Sequence, residues 1–138
     1  MIFVTSDRSP FEVLSAMPER SLARIVPILA VKNLARAMDF YRTLGFSAQA
    51  WRDGDTYAFL TRDQLDIHLR SAPDLIEGHN PSGIYLNLAD GTAAALEAEF
   101  RAAGVKILSP LTPRQWRMNE FVLSDPDGNL LRFGEALS

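Results

Sequence analysis

The chain contains no cysteine. Disulfides, thiolate nucleophiles and Cys-based zinc sites are therefore excluded, and stability must come from packing. No apolar run approaches the length of a membrane span. No cluster of Lys and Arg stands out, and the formal charge is −3. Phosphate binding needs concentrated positive charge, so nucleic acid is not an expected partner. No nucleophile triad, phosphate loop or zinc-hydrolase pattern is present. Met1 to Pro10 lacks the basic-then-apolar layout of a secretion signal, which makes the cytoplasm the expected location and a membrane an unexpected partner.

What is present suits one ordinary domain. The 138 residues are 47% apolar, enough to bury a core. Residues 1–24 read as a peripheral arm, with Ile2-Phe3-Val4-Thr5 as a short strand and Ser9-Pro10 opening a helical turn. Residues 25–138 read as the domain.

Ile25 to Val31 is β-rich, and Pro27 within it cannot donate to a ladder, so an edge or bulge is expected there. Asn33 suits an N-cap. Leu34, Ala37, Met38, Tyr41 and Leu44 then fall on one face of an α-helix, which Gly45 closes. Three strand-like runs follow: Phe46 to Trp51, Thr56 to Thr61 and Leu65 to Leu69. Ser71 to Ser82 reads as a loop between halves. The plan then repeats. Ile84 to Leu88 is a strand. Thr92 or Asp90 caps a second helix, with Leu96, Phe100 and Ala103 inward and Gly104 closing it. Val105 to Leu108, Glu120 to Ser124 and Leu130 to Phe133 are strands, the last two joined by the turn Asp125-Pro126-Asp127-Gly128-Asn129. Leu111 to Arg117 reads as a polar segment near the mouth of the sheet.

The halves match residue by residue: Tyr41-Arg42-Thr43-Leu44-Gly45-Phe46 aligns with Phe100-Arg101-Ala102-Ala103-Gly104-Val105. Internal duplication fixes topology before any motif is invoked. The expected fold is α+β, with two tandem β-α-β-β-β modules (about 25–72 and 83–135) forming a cupped mixed sheet with helices outside. A ferredoxin-like domain competes, but three strands after each helix exceed its repeat.

Val31-Lys32-Asn33-Leu34 leading into Asp39 to Phe46, together with Phe121 to Leu130, resembles the glyoxalase/bleomycin-resistance/dioxygenase (vicinal-oxygen-chelate) superfamily from roughly Ile25 to Glu135. Gln115 to Phe121 and Val26-Pro27-Ile28-Leu29 resemble its bleomycin-resistance branch. The resemblance implies a cup that in the enzymes holds a divalent metal on the first and last strands of a module. Carried over, those positions fall near Val26 and Gly83 and at His68 and Arg132. Val26 and Gly83 offer no ligand, and Arg132 repels a cation. One imidazole, His68, falls short of the roughly three protein ligands that a catalytic metal needs. Glu135 lies three residues further along and on the other face. No metal, cofactor or catalytic residue is therefore assigned. The resemblance instead implies a homodimer whose clefts bind a small, cationic, flat-tailed drug unmodified. A metal-dependent lyase or dioxygenase, completed across a dimer, and a vestigial scaffold are the alternatives.

A planar ligand needs rigid π surfaces and a few polar handles. The candidates are Trp116 in the polar segment, Tyr57 and Phe59 sharing one strand face, and Trp51 before a turn. Tyr85 joins them on a strand, and Phe121 reads as core. His68 and Asp66 alternate on one face of their strand. Arg132, in the partner module, is free to pair with Asp66, Glu120 or an anionic ligand.

Overall fold

A computed structural model describes residues 20–52, 54–76, 79–80 and 82–138. The strand at Ile2 to Thr5 and the helical turn opening at Ser9-Pro10 that the sequence suggests lie outside these residues.

Each half begins with a strand and a helix. β1 (Ile28–Val31) leads through Asn33 into α1 (Leu34–Thr43), and the Asn33 side chain accepts the Arg36 N–H at 2.9 Å, as an N-cap should. Gly45 follows at φ 84°, a left-handed step that costs glycine nothing. β2 (Ser47–Ala50), β3 (Tyr57–Arg62) and β4 (Leu65–Ser71) complete the first module. β5 (Gly83–Leu88), α2 (Ala93–Ala102), β6 (Ile107–Pro113), β7 (Met118–Ser124) and β8 (Leu130–Ala136) form the second. The sheets order as β1-β4-β3-β2 and β5-β8-β7-β6. In each, the first strand runs parallel to the last and the rest is antiparallel.

The duplication is repeated bond for bond at the helix ends. Gly104 also sits at φ 84°. Phe46 N–H donates to Tyr41 at 3.1 Å, and Val105 N–H donates to Phe100 at 3.0 Å. In both modules one sheet face is apolar and covered: Leu29, Leu60, Ile67 and Leu69 in the first, Leu86, Phe121, Leu123, Leu131 and Phe133 in the second. These residues join Tyr41 and Phe100 in one core shared by both halves. Phe121 is core, as its strand position predicts.

Two local expectations differ. Thr92 does not cap α2. It sits in a helical conformation, and its hydroxyl donates to Ala89. The Ala93 N–H is accepted instead by Glu135 of β8 at 2.7 Å, so a side chain distant in sequence meets the helix N-terminus. Likewise β6 continues to Pro113 and is not a loop from Leu111. It is an edge strand with register shifts around Ser109, the setting in which Pro110 is tolerated.

The turn 125–129 does more than reverse the chain. Asp125, Asp127 and Asn129 are all buried. Asn129 Nδ2 donates to Ala30 O of β1 at 3.0 Å, and Asn80 donates to the same carbonyl at 3.2 Å. Asp127 Oδ1 accepts the Lys32 N–H at 2.9 Å and Arg36 at 3.3 Å. Tyr41 of α1 donates to Asp125 Oδ2 at 2.8 Å. The second module's turn therefore satisfies the backbone at the end of β1. A second tie is Arg62, which donates to Glu99 at 2.7 Å and to Leu44 O. Tyr41→Phe removes a buried bond to a carboxylate and is expected to cost roughly 1.5–3 kcal/mol, read as a lower urea midpoint at unchanged slope.

Candidate functional site

Strand alternation puts the remaining side chains on the faces away from the helices. In the first module Tyr57, Phe59, Asp66 and His68 share that face. The Tyr57 hydroxyl and His68 Nδ1 lie 2.9 Å apart, a diagonal contact across the β3–β4 ladder. The Phe59 and His68 rings meet edge to face at 4.9 Å between centroids, and Tyr57 and Phe59 at 5.6 Å. Tyr57 and Phe59, with Trp51 and Thr56, line an open and largely apolar cavity of about 410 Å³. Arg52 lies over the Trp51 ring at 4.4 Å. Asp66 is engaged by Arg24 at 2.9 Å.

The second module carries a more polar cluster. Glu120 of β7 is only 1% exposed. Its Oε2 accepts the Tyr85 hydroxyl at 2.6 Å and the Trp116 indole N–H at 2.8 Å. Arg114 Nε stands 3.9 Å from Oε1 and, among the described residues, has no hydrogen-bond partner. Trp116 occupies the four-residue turn between β6 and β7, which Arg114 closes by donating to Met118 O at 2.7 Å. Trp116 is 57% exposed, yet its indole N–H is tied to a buried anchor. That combination holds an exposed aromatic surface in place.

The charges in this cluster are settled by competition. Burial pushes the Glu120 carboxyl upward. The hydrogen bonds from Trp116 and Tyr85 and the charges of Arg114 and Arg132 outweigh burial and leave it below its ordinary value. Burial, then the bond to Glu120 and its charge, pushes the Tyr85 phenol up to about 12. Tyr85 is thus a neutral donor and Glu120 an ionised acceptor at neutral pH. Because the folded carboxyl titrates low, its contribution to stability is complete above the unfolded value of about 4.3. That contribution is lost as pH falls through the folded value. Glu120→Gln should therefore flatten the acid limb of melting temperature against pH, measured between about pH 3 and 7, and leave the neutral plateau nearly level.

The predicted residues fall into linked groups. Trp51, Tyr57, Phe59 and His68 lie together in the first module, and Tyr85 and Trp116 meet on Glu120 in the second. Tyr85 and Asp66 also line a cavity of about 330 Å³ between the modules, with Ile25, Pro27 and Ile84. Arg132 makes no ion pair with Asp66 or Glu120. Among the described residues, Asp66 takes Arg24, and the cation nearest Glu120 is Arg114. Sequence reasoning considered Glu120 only as a partner for Arg132 and missed it as the centre of the cluster. The available signal was a lone carboxylate alternating with Val122 on a strand whose other face is Phe121 and Leu123.

The strand register bears on a divalent metal. It sets Ile28 beside His68 and Tyr85 beside Arg132, two positions on from Val26 and Gly83. Neither pair is a ligand set, and His68 Nδ1 is already engaged by Tyr57. Among the described residues no three His, Asp or Glu side chains converge. Within one chain the described residues do not make up a site for such an ion. Also among them, no helix is long and apolar enough to cross a membrane.

The fold and the motifs at its helix ends and final hairpin define a paired-module protein, and comparison places it. The sequence pattern of the Glyoxalase/Bleomycin resistance protein/Dioxygenase superfamily matches residues 21–133. The chain belongs to that superfamily. No curated protein matches it in sequence. Among solved structures it is similar to a bleomycin resistance determinant encoded on the transposon Tn5, at 25% identity and a TM-score of 0.72, covering 82% of this chain and 97% of that one. It is also similar to a bleomycin-binding protein complexed with bleomycin, at 24% identity and a TM-score of 0.71, covering 81% and 97%. A lactoylglutathione lyase from Agrobacterium tumefaciens shares the fold at 17% identity and a TM-score of 0.66, covering 85% and 96%.

Proposed function

We propose that the protein is a metal-independent small-molecule binder of the bleomycin-resistance kind, which sequesters a planar, drug-like ligand without transforming it. The observation that carries this reading is the Trp116–Glu120–Tyr85 cluster. It presents an exposed indole on a buried carboxylate, where a ligand finds a stacking surface and a polar handle. The aromatic cavity at Trp51, Tyr57 and Phe59 supplies further flat surface. The misfit of His68 and Arg132 to a metal supports binding over catalysis, and the likeness to two bleomycin-associated structures suggests the first ligand to test.

Ile28, Phe59 and Tyr85 leave apolar surface open on the faces away from the helices. The proposal includes a cytoplasmic homodimer that covers part of this surface and places the ligand in a cleft near the subunit boundary. His68, Asp66 and Arg132 serve in it as polar contacts, and the expected consequence for a cell is antibiotic resistance. Titration with bleomycin followed by thermal denaturation tests the reading. Saturable stabilisation is expected, unchanged by chelator, with the drug recovered intact. Loss of the effect on adding chelator, or conversion of the drug, would overturn it.

A further inference from the structure

Gly134 of β8 pairs with Glu120 of β7, whereas Tyr85 of β5 pairs with Arg132. The Tyr85 ring therefore leans two residues along, to the next position on the same face, and lies over Gly134. A β-carbon added at Gly134 would fall on the Tyr85 hydroxyl and 2.9 Å from Cε1. Bare backbone is thus the floor of the slot that the Tyr85 ring fills, with Glu120 at its end. The corresponding place in the first module is Arg70, which pairs with Tyr57, so the bare floor belongs to the second module alone.

The occupant is anchored at its hydroxyl. Tyr85 is 42% exposed, and among the described residues its hydroxyl bonds to Glu120 alone. The inter-module cavity of about 330 Å³ that it lines gives the ring room beside the slot. If it leaves, Glu120 Oε2 retains the Trp116 indole and regains an open acceptor site. Among the described residues Oε1 accepts no hydrogen bond even now: Arg114, at 3.9 Å, is beyond bonding distance.

We propose that this slot is a binding subsite for a planar ring bearing an N–H or O–H donor, and that Tyr85 is its displaceable internal occupant. The backbone floor selects flat groups, and the buried carboxylate selects a donor over a bare hydrocarbon. The proposal deepens the small-molecule reading above, on which its biological meaning rests. The slot can be tested without the drug.

Tyr85→Ala empties the slot. p-Cresol, the side chain removed, should then bind saturably, seen as a shift of the Trp116 indole N–H resonance. Toluene lacks the donor and should bind at least about tenfold more weakly, the worth of one hydrogen bond to a charged group. Tyr85→Ala combined with Gly134→Ala should abolish p-cresol binding, because the new methyl rises into the ring plane. Wild-type protein should bind p-cresol at least about tenfold more weakly than Tyr85→Ala, since its own ring competes. Equal binding of p-cresol and toluene, or binding that survives Gly134→Ala, would overturn the subsite. Tyr85→Phe keeps the fold and the ring but loses the anchoring bond, so it should tighten bleomycin binding. Weaker binding in that variant would make Tyr85 a direct contact and overturn its role as displaceable occupant. If bleomycin does not bind at all, the functional reading fails while the p-cresol result still decides the subsite.

Discussion

Replacing Asp125 with alanine is expected to cost about 3–5 kcal/mol, the scale of breaking a buried charged network by removing one partner. Its carboxylate collects four hydrogen bonds: Tyr41 Oη at 2.8 Å, Asn129 Nδ2 at 2.7 Å, and the backbone N–H groups of Asp127 and Asn129, both at 2.9 Å. Truncation leaves those donors buried with nothing to accept them. The loss should spread, because Asn129 also holds Ala30 of β1, and Asp127 holds Lys32. A drop in melting temperature on the order of 10–20 °C follows for a domain of this size, measurable by circular dichroism. Asp125→Asn separates charge from geometry. Burial, outweighing the hydrogen bonds it receives, keeps the Asp125 carboxyl above its ordinary value, so its negative charge is not itself favourable here. A raised folded value means that ionisation weakens the fold as pH rises from the unfolded value of about 3.9 through the folded one. The neutral amide retains one acceptor for the backbone donors but turns an N–H₂ toward the Asn129 amide. Asp125→Asn should therefore lose less than the alanine variant, about 1–3 kcal/mol for the unsatisfied contact. Equal losses in the two variants would mean that the clamp depends on charge.

The segment 125–129 shows where a sequence yields its fold and where it stops. Asp, Pro, Gly and Asn are turn formers for local reasons, and those reasons were enough to place the hairpin. Gly128 does sit at φ 90°. The same Asp and Asn side chains also reach partners more than eighty residues away, and no local signal carries that. The modules were legible because their signals are local: the helical spacing of Leu34 to Leu44, alternation in the strands, and glycines at matching helix ends. Glu135 failed to register as a helix cap for the opposite reason, since the bond from Ala93 spans 42 residues. The site was half legible. Alternation put Tyr57 and Phe59 on one face of their strand and Asp66 and His68 on one face of theirs, and the polar, proline-containing surroundings of Trp116 marked it as unlike core. Glu120 stayed hidden because a carboxylate in a strand reads as a solvated position. The indole of Trp116 and the phenol of Tyr85, brought from a turn and from another strand, with the charges of Arg114 and Arg132, make its burial tolerable.

Trp116→Ala is expected to weaken bleomycin binding by roughly 30–100-fold, or about 2–3 kcal/mol, the range of an aromatic anchor at a binding surface. The reason is preorganisation as well as contact area. The indole needs no ordering on binding, because its N–H is already fixed to a carboxylate that is itself buried and fixed. Folding should suffer far less. More than half of the Trp116 surface faces solvent, and Glu120 keeps Tyr85 as a donor, so a loss within about 1 kcal/mol is expected. Trp116→Phe divides the two contributions. It preserves a flat ring but releases it from Glu120, and should fall between wild type and alanine, near tenfold for one charge-assisted bond. Titration calorimetry on the three proteins reads the affinities, and thermal denaturation without drug checks that each is folded. If Trp116→Phe binds as tightly as wild type, the bond to Glu120 contributes nothing to holding the ring. If Trp116→Ala also binds as tightly, this face is not where the ligand lies, and the cavity at Trp51, Tyr57 and Phe59 takes its place.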